Sequence, residues 1–482
     1  MRKYTWVFVL IGFVFVSCVP DSETTSDETI NEWIDQQMRD WYYWESKIPG
    51  RVDKSLNPDV FFESLLYRYD PVNAPDGDRF SWIQSDWRDL LSSLEGVVPN
   101  EIGFEYDLYR VSEETNDVMG FVTYVKHATP AESSGIQRGW WLSHVNGEAL
   151  NTTNYSSLLR ITEPQAQFQF RCARLEDGAF VGWQDTSVQV QTLSSFAENP
   201  VYLDTVYSEG ATKVGYLVYH FFAPGEVDSE THYDAQLNQA FARFKEAEIT
   251  ELIVDLRYNS GGYATSGTNL ASMIVPRSGG KQLFTYYRYN SYIQNALESR
   301  YGKEVSNTYF SDYLLSPDGA YLDPIVNIGN QLSRVYILTG PYTASASEAL
   351  ISGLRPYMEV ITIGKTTYGK NVASISIYDE TNSENMWGLQ PIVAKVYNSL
   401  DASDYTGGFE ATIPADEVQA GARALGDRQE ELLSVALSDI QGQATLRGAT
   451  SEQAIGMSLR RIPSNRYGDH RGLVLPSMQV FE

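Results

Sequence analysis

The chain has 482 residues, 43% hydrophobic and 20% charged, a globular balance too long for one ordinary core, so roughly two to four domains are expected. Its 36 basic and 62 acidic side chains leave a net charge of −26, which excludes nucleic acid as a partner, because phosphate binding needs a basic surface. Only two cysteines occur, Cys18 and Cys172, so no intramolecular disulfide framework is expected.

Arg2 and Lys3 precede an apolar run from Trp6 to Val16. That run is too short to span a bilayer as a helix and has the layout of a signal peptide, expected over 1–17. Val16-Ser17-Cys18 resembles the end of a bacterial lipoprotein signal. The resemblance implies acylation of Cys18 and a lipid anchor in the bacterial cell envelope, on a periplasmic or surface-facing leaflet. An ordinary cleaved signal is the alternative. Residues 18–28 are polar and acidic, as suits a flexible tether.

Residues 29–95 are expected to form a helical N-terminal domain. Ile30, Trp33, Ile34, Met38, Trp41 and Tyr42 recur at three- and four-residue spacing, and Pro49-Gly50 stops the stripe. Phe61, Phe62, Leu65, Leu66 and Tyr69 form a second stripe. Asp78-Arg79-Phe80-Ser81-Trp82 follows a turn and is read as part of the same aromatic-cored cap. Residues 98–195 are richer in short strands. Ile102-Gly103-Phe104 opens them, Phe121 to Val125 alternates with strand period, and Thr129-Pro130-Ala131-Glu132 starts a short helix. The strand Gly139 to Val145 closes on an Asn146-Gly147 turn. This order resembles a PDZ domain. The resemblance implies that Ile102, Gly103 and Phe104 offer backbone N–H groups to a peptide's terminal carboxylate while the peptide adds as a strand. A purely architectural module is the alternative.

From about residue 196 to 442 strands and helices alternate, the mark of a layered α/β domain. Lys213 to Tyr219, Leu252 to Leu256, Val335 to Leu338, Val360 to Ile363, Val372 to Tyr378 and Ile392 to Tyr397 read as strands. Asp234 to Glu248, Tyr263 to Ile274 and Glu430 to Ile440 read as helices, and Ala349, Leu350 and Leu354 continue at helical spacing after Ser347-Glu348. Residues 443–482 hold five arginines and no lysine against three acids, and read as an irregular tail.

Several chemistries fail on inspection. Gly364-Lys365-Thr366 lacks the first glycine of a phosphate-binding loop, since Glu359 stands there. Ser278-Gly279-Gly280-Lys281 puts two glycines where a Ser-x-x-Lys helix is needed. No metalloprotease helix motif or nucleophile-elbow motif occurs, and the five histidines are scattered, with His220 read as structural. No metal or cofactor is called for. What remains is Thr343-Ala344-Ser345-Ala346-Ser347-Glu348 between a strand and a helix, with Lys365 and Lys370 near the next strands. A serine there could be a nucleophile with a lysine base, Ser345 or Ser347 with Lys365 or Lys370.

Residues 98–440 resemble the carboxyl-terminal processing (tail-specific) protease family, through the PDZ-like block, Asp255-Leu256-Arg257 with Asn259 and Gly261-Gly262, and the Ser345 run with Tyr368-Gly369-Lys370. The resemblance implies a helical cap, a PDZ-like β domain and a crotonase/ClpP-like α/β protease core, a multidomain α+β fold. It implies Ser345 as nucleophile and Lys370 as base, with Ala346 and Gly261 or Gly262 supplying oxyanion N–H donors. Ser347 and Glu348 would support the turn. Where the family often has a glutamine that orients the lysine, this chain has Ser374. A lysine base must be neutral, so burial must lower its pKa by roughly three units from about 10.4, on the order of 4 kcal/mol. The expectation is a serine endopeptidase that cleaves exposed or disordered segments near the C-termini of protein or peptide substrates. A non-catalytic peptide-terminus binder on the same scaffold is the alternative. An acyl-CoA enzyme of the crotonase-like fold has no supporting residues. Oligomeric state stays open.

Overall fold

The computed structural model describes residues 27–98, 100–161, 165–176, 179–181, 188–226, 232–418, 422–442, 459–462 and 473–475. Cys18, the signal segment and most of the expected tether lie outside them. The helix Asp27–Trp41 begins inside the expected tether, because Asp27 and Glu28 occupy its first turn, where acids suit the helix dipole.

A six-stranded sheet forms the α/β core, in the order 201–209, 212–219, 251–255, 334–339, 359–364 and 413–414. The first pair is antiparallel and the others are parallel. Burial on both faces explains why these strands are continuous apolar runs. Leu217, Leu252, Val254, Val335 and Ile337 pack with Leu237, Leu270 and Leu350 of the helices Tyr233–Glu246, Ala264–Ile274 and Ala346–Leu354. Tyr216, Val218, Ile253, Tyr336 and Leu338 pack with Leu432, Leu433 and Ala436 of Glu431–Ile440.

A second sheet orders 307–309, 283–289, 392–398, 372–374 and 473–474. The strand expected over 372–378 stops at Ser374, and Ile377 turns away to bridge Leu389. The N-terminal helices cover this sheet, with Ile34, Met38, Phe61 and Phe62 against Val372 and Ile392, while Trp82–Gln84 pairs with Gly388–Gln390.

The PDZ-like sheet orders 460–462, 104–110, 118–125, 140–145, 167–176 and 179–181. Residues 459–462 and 473–475 are thus paired with two separate sheets. The expectation of an irregular tail missed this because both partner edges are remote in sequence, and so short a strand carries no periodicity of its own.

Two buried charge clusters lock the PDZ-like sheet to the core. Lys126 Nζ lies 2.9, 2.8 and 3.2 Å from carboxylate oxygens of Glu101, Glu105 and Glu198, and His220 Nδ1 lies 3.0 Å from Glu198. Arg138 donates to Glu417 at 2.6 Å, to Glu430 at 3.1 Å and to the Tyr258 hydroxyl. Arg257 joins it, holding Asp255 through two bonds of 2.9 and 2.7 Å and reaching Glu417 at 2.8 Å. Against the burial that raises it, Arg138 and Arg257 hold the Glu417 carboxyl down to about 2. Arg138→Ala leaves Arg257 alone against three buried carboxylates, Asp255, Glu417 and Glu430, so a loss of about 3–5 kcal/mol is expected in denaturant unfolding of the full chain.

Candidate active site

The strand Arg334–Thr339 delivers the chain to a tight turn, from which Ala346–Leu354 starts as a helix at the C-terminal edge of the parallel strands. Edges of this kind are where open α/β sheets place ligands. The Thr343 hydroxyl donates to Leu256 O at 2.7 Å and accepts from Gly340 N–H at 2.9 Å. Ala344 N–H and the Ser347 hydroxyl both donate to Asn259 O, each at 3.1 Å. The serine turn and the glycine turn are therefore one unit. Ser347 spends its hydroxyl inside it.

Ser345 is the N-cap, with φ +60° and ψ −109°. A non-glycine residue in that region is strained by about 1–3 kcal/mol. Nucleophile elbows use a similar sharp strand-to-helix turn. The strain is held by Glu348, whose carboxylate is fully buried and satisfied on both oxygens. Oε2 accepts from Ser345 N–H at 2.9 Å and Lys370 N–H at 2.8 Å. Oε1 accepts from the Thr367 hydroxyl at 2.6 Å and Gly369 N–H at 2.7 Å. Burial pushes the Glu348 carboxyl up, while these donors hold it down. One carboxylate oxygen thus brings Ser345 and Lys370 together.

Lys370 is buried, and its ammonium pKa falls to about 8. Burial is the main cause, with Arg79 adding to it and the carboxylates of Asp78 and Glu348 opposing it. Its Nζ sits 4.8 Å from the centre of the Phe80 ring. Arg79 donates to Gly369 O at 2.9 Å and Thr406 O at 3.1 Å, clamping the N-terminal domain onto the lysine turn. Asp78 is held in turn by Phe80 N–H at 2.8 Å, Ser81 N–H at 2.9 Å and the Tyr42 hydroxyl at 2.9 Å. Asp78, Arg79 and Phe80 were not singled out for the site from sequence. The available signal was a buried-looking acid and a base inside an aromatic run that no helical stripe explains.

Gly261, at φ +106°, faces the serine directly. A Cβ there would lie 2.8 Å from Ser345 Cβ and 3.2 Å from Ala346 N. Gly262, at φ +138°, would place one 2.0 Å from Phe222 O. Both positions demand glycine. Gly261 N–H is already given to Asn259 Oδ1 at 2.9 Å. Ser374 accepts a 2.9 Å bond from Gln390 Nε2, and Gln390 Oε1 accepts from Ser376 at 2.9 Å. Gln390 comes from a different strand and gives no sequence signal. Lys365 lies apart, paired with Asp416 at 2.9 Å. Ile102, Gly103 and Phe104 are buried far along the chain in the PDZ-like sheet, where Gly103 N–H donates to Glu101 Oε1 at 2.7 Å.

Comparison with known proteins matches the description peptidase family S41 over residues 213–410 and peptidase S41 N-terminal domain over 29–82. The first span holds Ser345 and Lys370, and the second holds Asp78, Arg79 and Phe80. A crystal structure assigned as an S41 protease of Bacteroides fragilis is 27% identical, covers 85% of this chain and 97% of its own, and superposes with a TM-score of 0.65. A chloroplastic C-terminal processing peptidase of Tetradesmus obliquus is 22% identical over 253 residues, 50% of this chain and 46% of that protein. The match therefore spans about half the length of that relative.

The strain at Ser345 is directly testable. Ser345→Gly should unfold at about 1 kcal/mol higher stability than Ser345→Ala, because glycine alone relaxes at a positive φ. Equal midpoints in urea would show that the turn is unstrained.

Proposed function

The chain belongs to peptidase family S41, and on that premise we propose that it is a serine endopeptidase in which Ser345 is the nucleophile and Lys370 the general base. The observation that carries this reading is the shared Glu348 oxygen, which holds the backbones of both residues beside a buried lysine whose pKa falls to about 8. Near that pH a useful fraction of the lysine is neutral, and a neutral amine can take the Ser345 proton as the oxygen attacks a peptide carbonyl. The developing oxyanion would face Ala346 N–H and Gly262 N–H. Each such donor contributes about 3 kcal/mol to the transition state. The protonated lysine then returns its proton to the leaving amine, and water enters with Lys370 again as base to release the acyl group.

Glu348 serves by position: it fixes both partners and keeps its own charge satisfied. Gln390 and Ser374 brace the strand after Lys370. The substrates are exposed or disordered polypeptide segments near C-termini. The peptide-terminus binder is less well supported, because Glu101 already engages the Gly103 N–H that a terminal carboxylate would need. Acylation at Cys18 would hold the enzyme at the bacterial cell envelope, a reading that rests on the N-terminal sequence.

Two measurements test this reading. Ser345→Ala and Lys370→Ala should each lower cleavage of an unfolded protein substrate by at least about a thousandfold. Because the base must be neutral, kcat/KM of the wild type should rise with pH and level off above about 8. A rate that stays flat from pH 6 to 10 contradicts the lysine base. For the anchor, cells fed a radiolabelled fatty acid should label the wild-type protein and leave Cys18→Ser unlabelled; equal labelling rejects acylation at that residue.

A further inference from the structure

The loop expected to hold a substrate's terminal carboxylate already holds a carboxylate of its own chain. Glu101 is 1% exposed, with Oε1 accepting the Gly103 N–H at 2.7 Å and Oε2 taking Lys126 Nζ at 2.9 Å. A backbone amide in a glycine turn and a buried cation are the groups a terminal carboxylate would seek. The turn is also fixed through its carbonyl, because Lys126 N–H donates to Gly103 O at 2.9 Å. Gly103 has φ +90°, and a Cβ there would fall 2.6 Å from Thr129 Oγ1, so the loop sits hard against its neighbour. Ile102 and Phe104 on either side are packed into the domain core with Tyr106, Ala131 and Phe170.

The charge balance around the loop is equally closed. Glu105 and Glu198 reach the same ammonium at 2.8 and 3.2 Å, and the Lys126 side chain is itself buried. Three carboxylates therefore converge on one lysine, with His220 Nδ1 3.0 Å from Glu198. A carboxylate brought in by a ligand adds negative charge where acids already outnumber Lys126, and like charges repel strongly at low dielectric. It gains no new donor, since it can only replace Glu101 like for like. Glu101 also competes from within the chain, at an effective concentration of at least roughly millimolar. The net charge of −26 opposes an incoming anion at longer range.

We infer that Glu101 is a built-in substitute for the terminal carboxylate, so that the enzyme takes exposed polypeptide segments without reading a free C-terminus. The consequence for cleavage rests on the peptidase reading of Ser345 and Lys370; the occupied loop does not. Chain near a C-terminus is then a substrate because it is exposed, and an internal segment or a blocked end is equally open to attack. Glu101 determines specificity by exclusion, filling the one place where a terminal charge would be recognised.

The test uses one disordered, apolar-rich peptide made as the free acid and as the C-terminal amide. Wild-type kcat/KM should agree between the two forms within about threefold, and any larger preference for the free acid overturns the inference. Glu101→Ala vacates the Gly103 N–H and one side of Lys126, so that chain should gain a preference for the free acid of about tenfold in KM. A folded Glu101→Ala chain that stays indifferent to the terminus removes Glu101 as the determinant. Should melting curves show that this variant does not fold, the wild-type comparison alone decides. The same two peptides, fluorescently labelled, are then compared by anisotropy in a Ser345→Ala background. Equal affinity in that parent, and tighter binding of the free acid once Glu101→Ala is added, support the inference even if no chain cleaves. In that case the peptidase reading falls by itself. No binding of either form by any of these chains rejects the inference, since the loop would then be no recognition site.

Discussion

The site depends on one buried carboxylate. Glu348 receives the amides of Ser345, Gly369 and Lys370 and the Thr367 hydroxyl, so every lone pair that matters is used. A buried charge is tolerated only under such conditions. In return it holds a serine at a positive φ and fixes the lysine turn against the serine turn. The two turns leave neighbouring strands of one sheet, 334–339 and 359–364, and Tyr368 N–H also donates to Thr343 O at 2.9 Å. Glu348 adds the bond that reaches the Ser345 and Lys370 amides themselves.

Lysine tuning is the second constraint, and it is distributed. Burial lowers the Lys370 pKa, Arg79 assists, and Asp78 and Glu348 limit the fall. Asp78 and Arg79 belong to the N-terminal domain, whose Trp82–Gln84 strand also joins the edge that carries Gln390. The helical cap is thus part of the Lys370 environment as well as a cover for the second sheet. The PDZ-like domain approaches from the other side, through Arg138 on Glu417, Glu430 and Tyr258, next to the glycine turn. These buried charges tie both flanking domains to the site, and removing Arg138 leaves Arg257 as the one guanidinium facing Asp255, Glu417 and Glu430.

Much of this was legible in the chain. The apolar runs at 252–256 and 335–338 read as strands because both faces are covered. Gly261 and Gly262 read as a special turn, and the contacts a Cβ would make there supply the reason. Ser345 and Lys370 were singled out through the motifs that resemble a protease family. The roles of Asp78, Arg79, Phe80 and Gln390 were not legible, since each acts on a residue in another domain or strand, with no periodicity connecting them. The same holds for 460–462 and 473–474, strands too short to announce themselves.

What the sequence determined by itself was local: hydrophobic period, glycine at positions with no room for a side chain, and a serine and a lysine in recognisable runs. These follow from steric and solvent rules that act over a few residues. What only the tertiary structure decided was which distant groups share an oxygen, a ring face or a sheet edge. Glu348 meets two turns, Phe80 meets Lys370, and the C-terminal region meets both sheets. Such pairings depend on how whole layers stack and on where buried charge can be neutralised, and no local pattern encodes that.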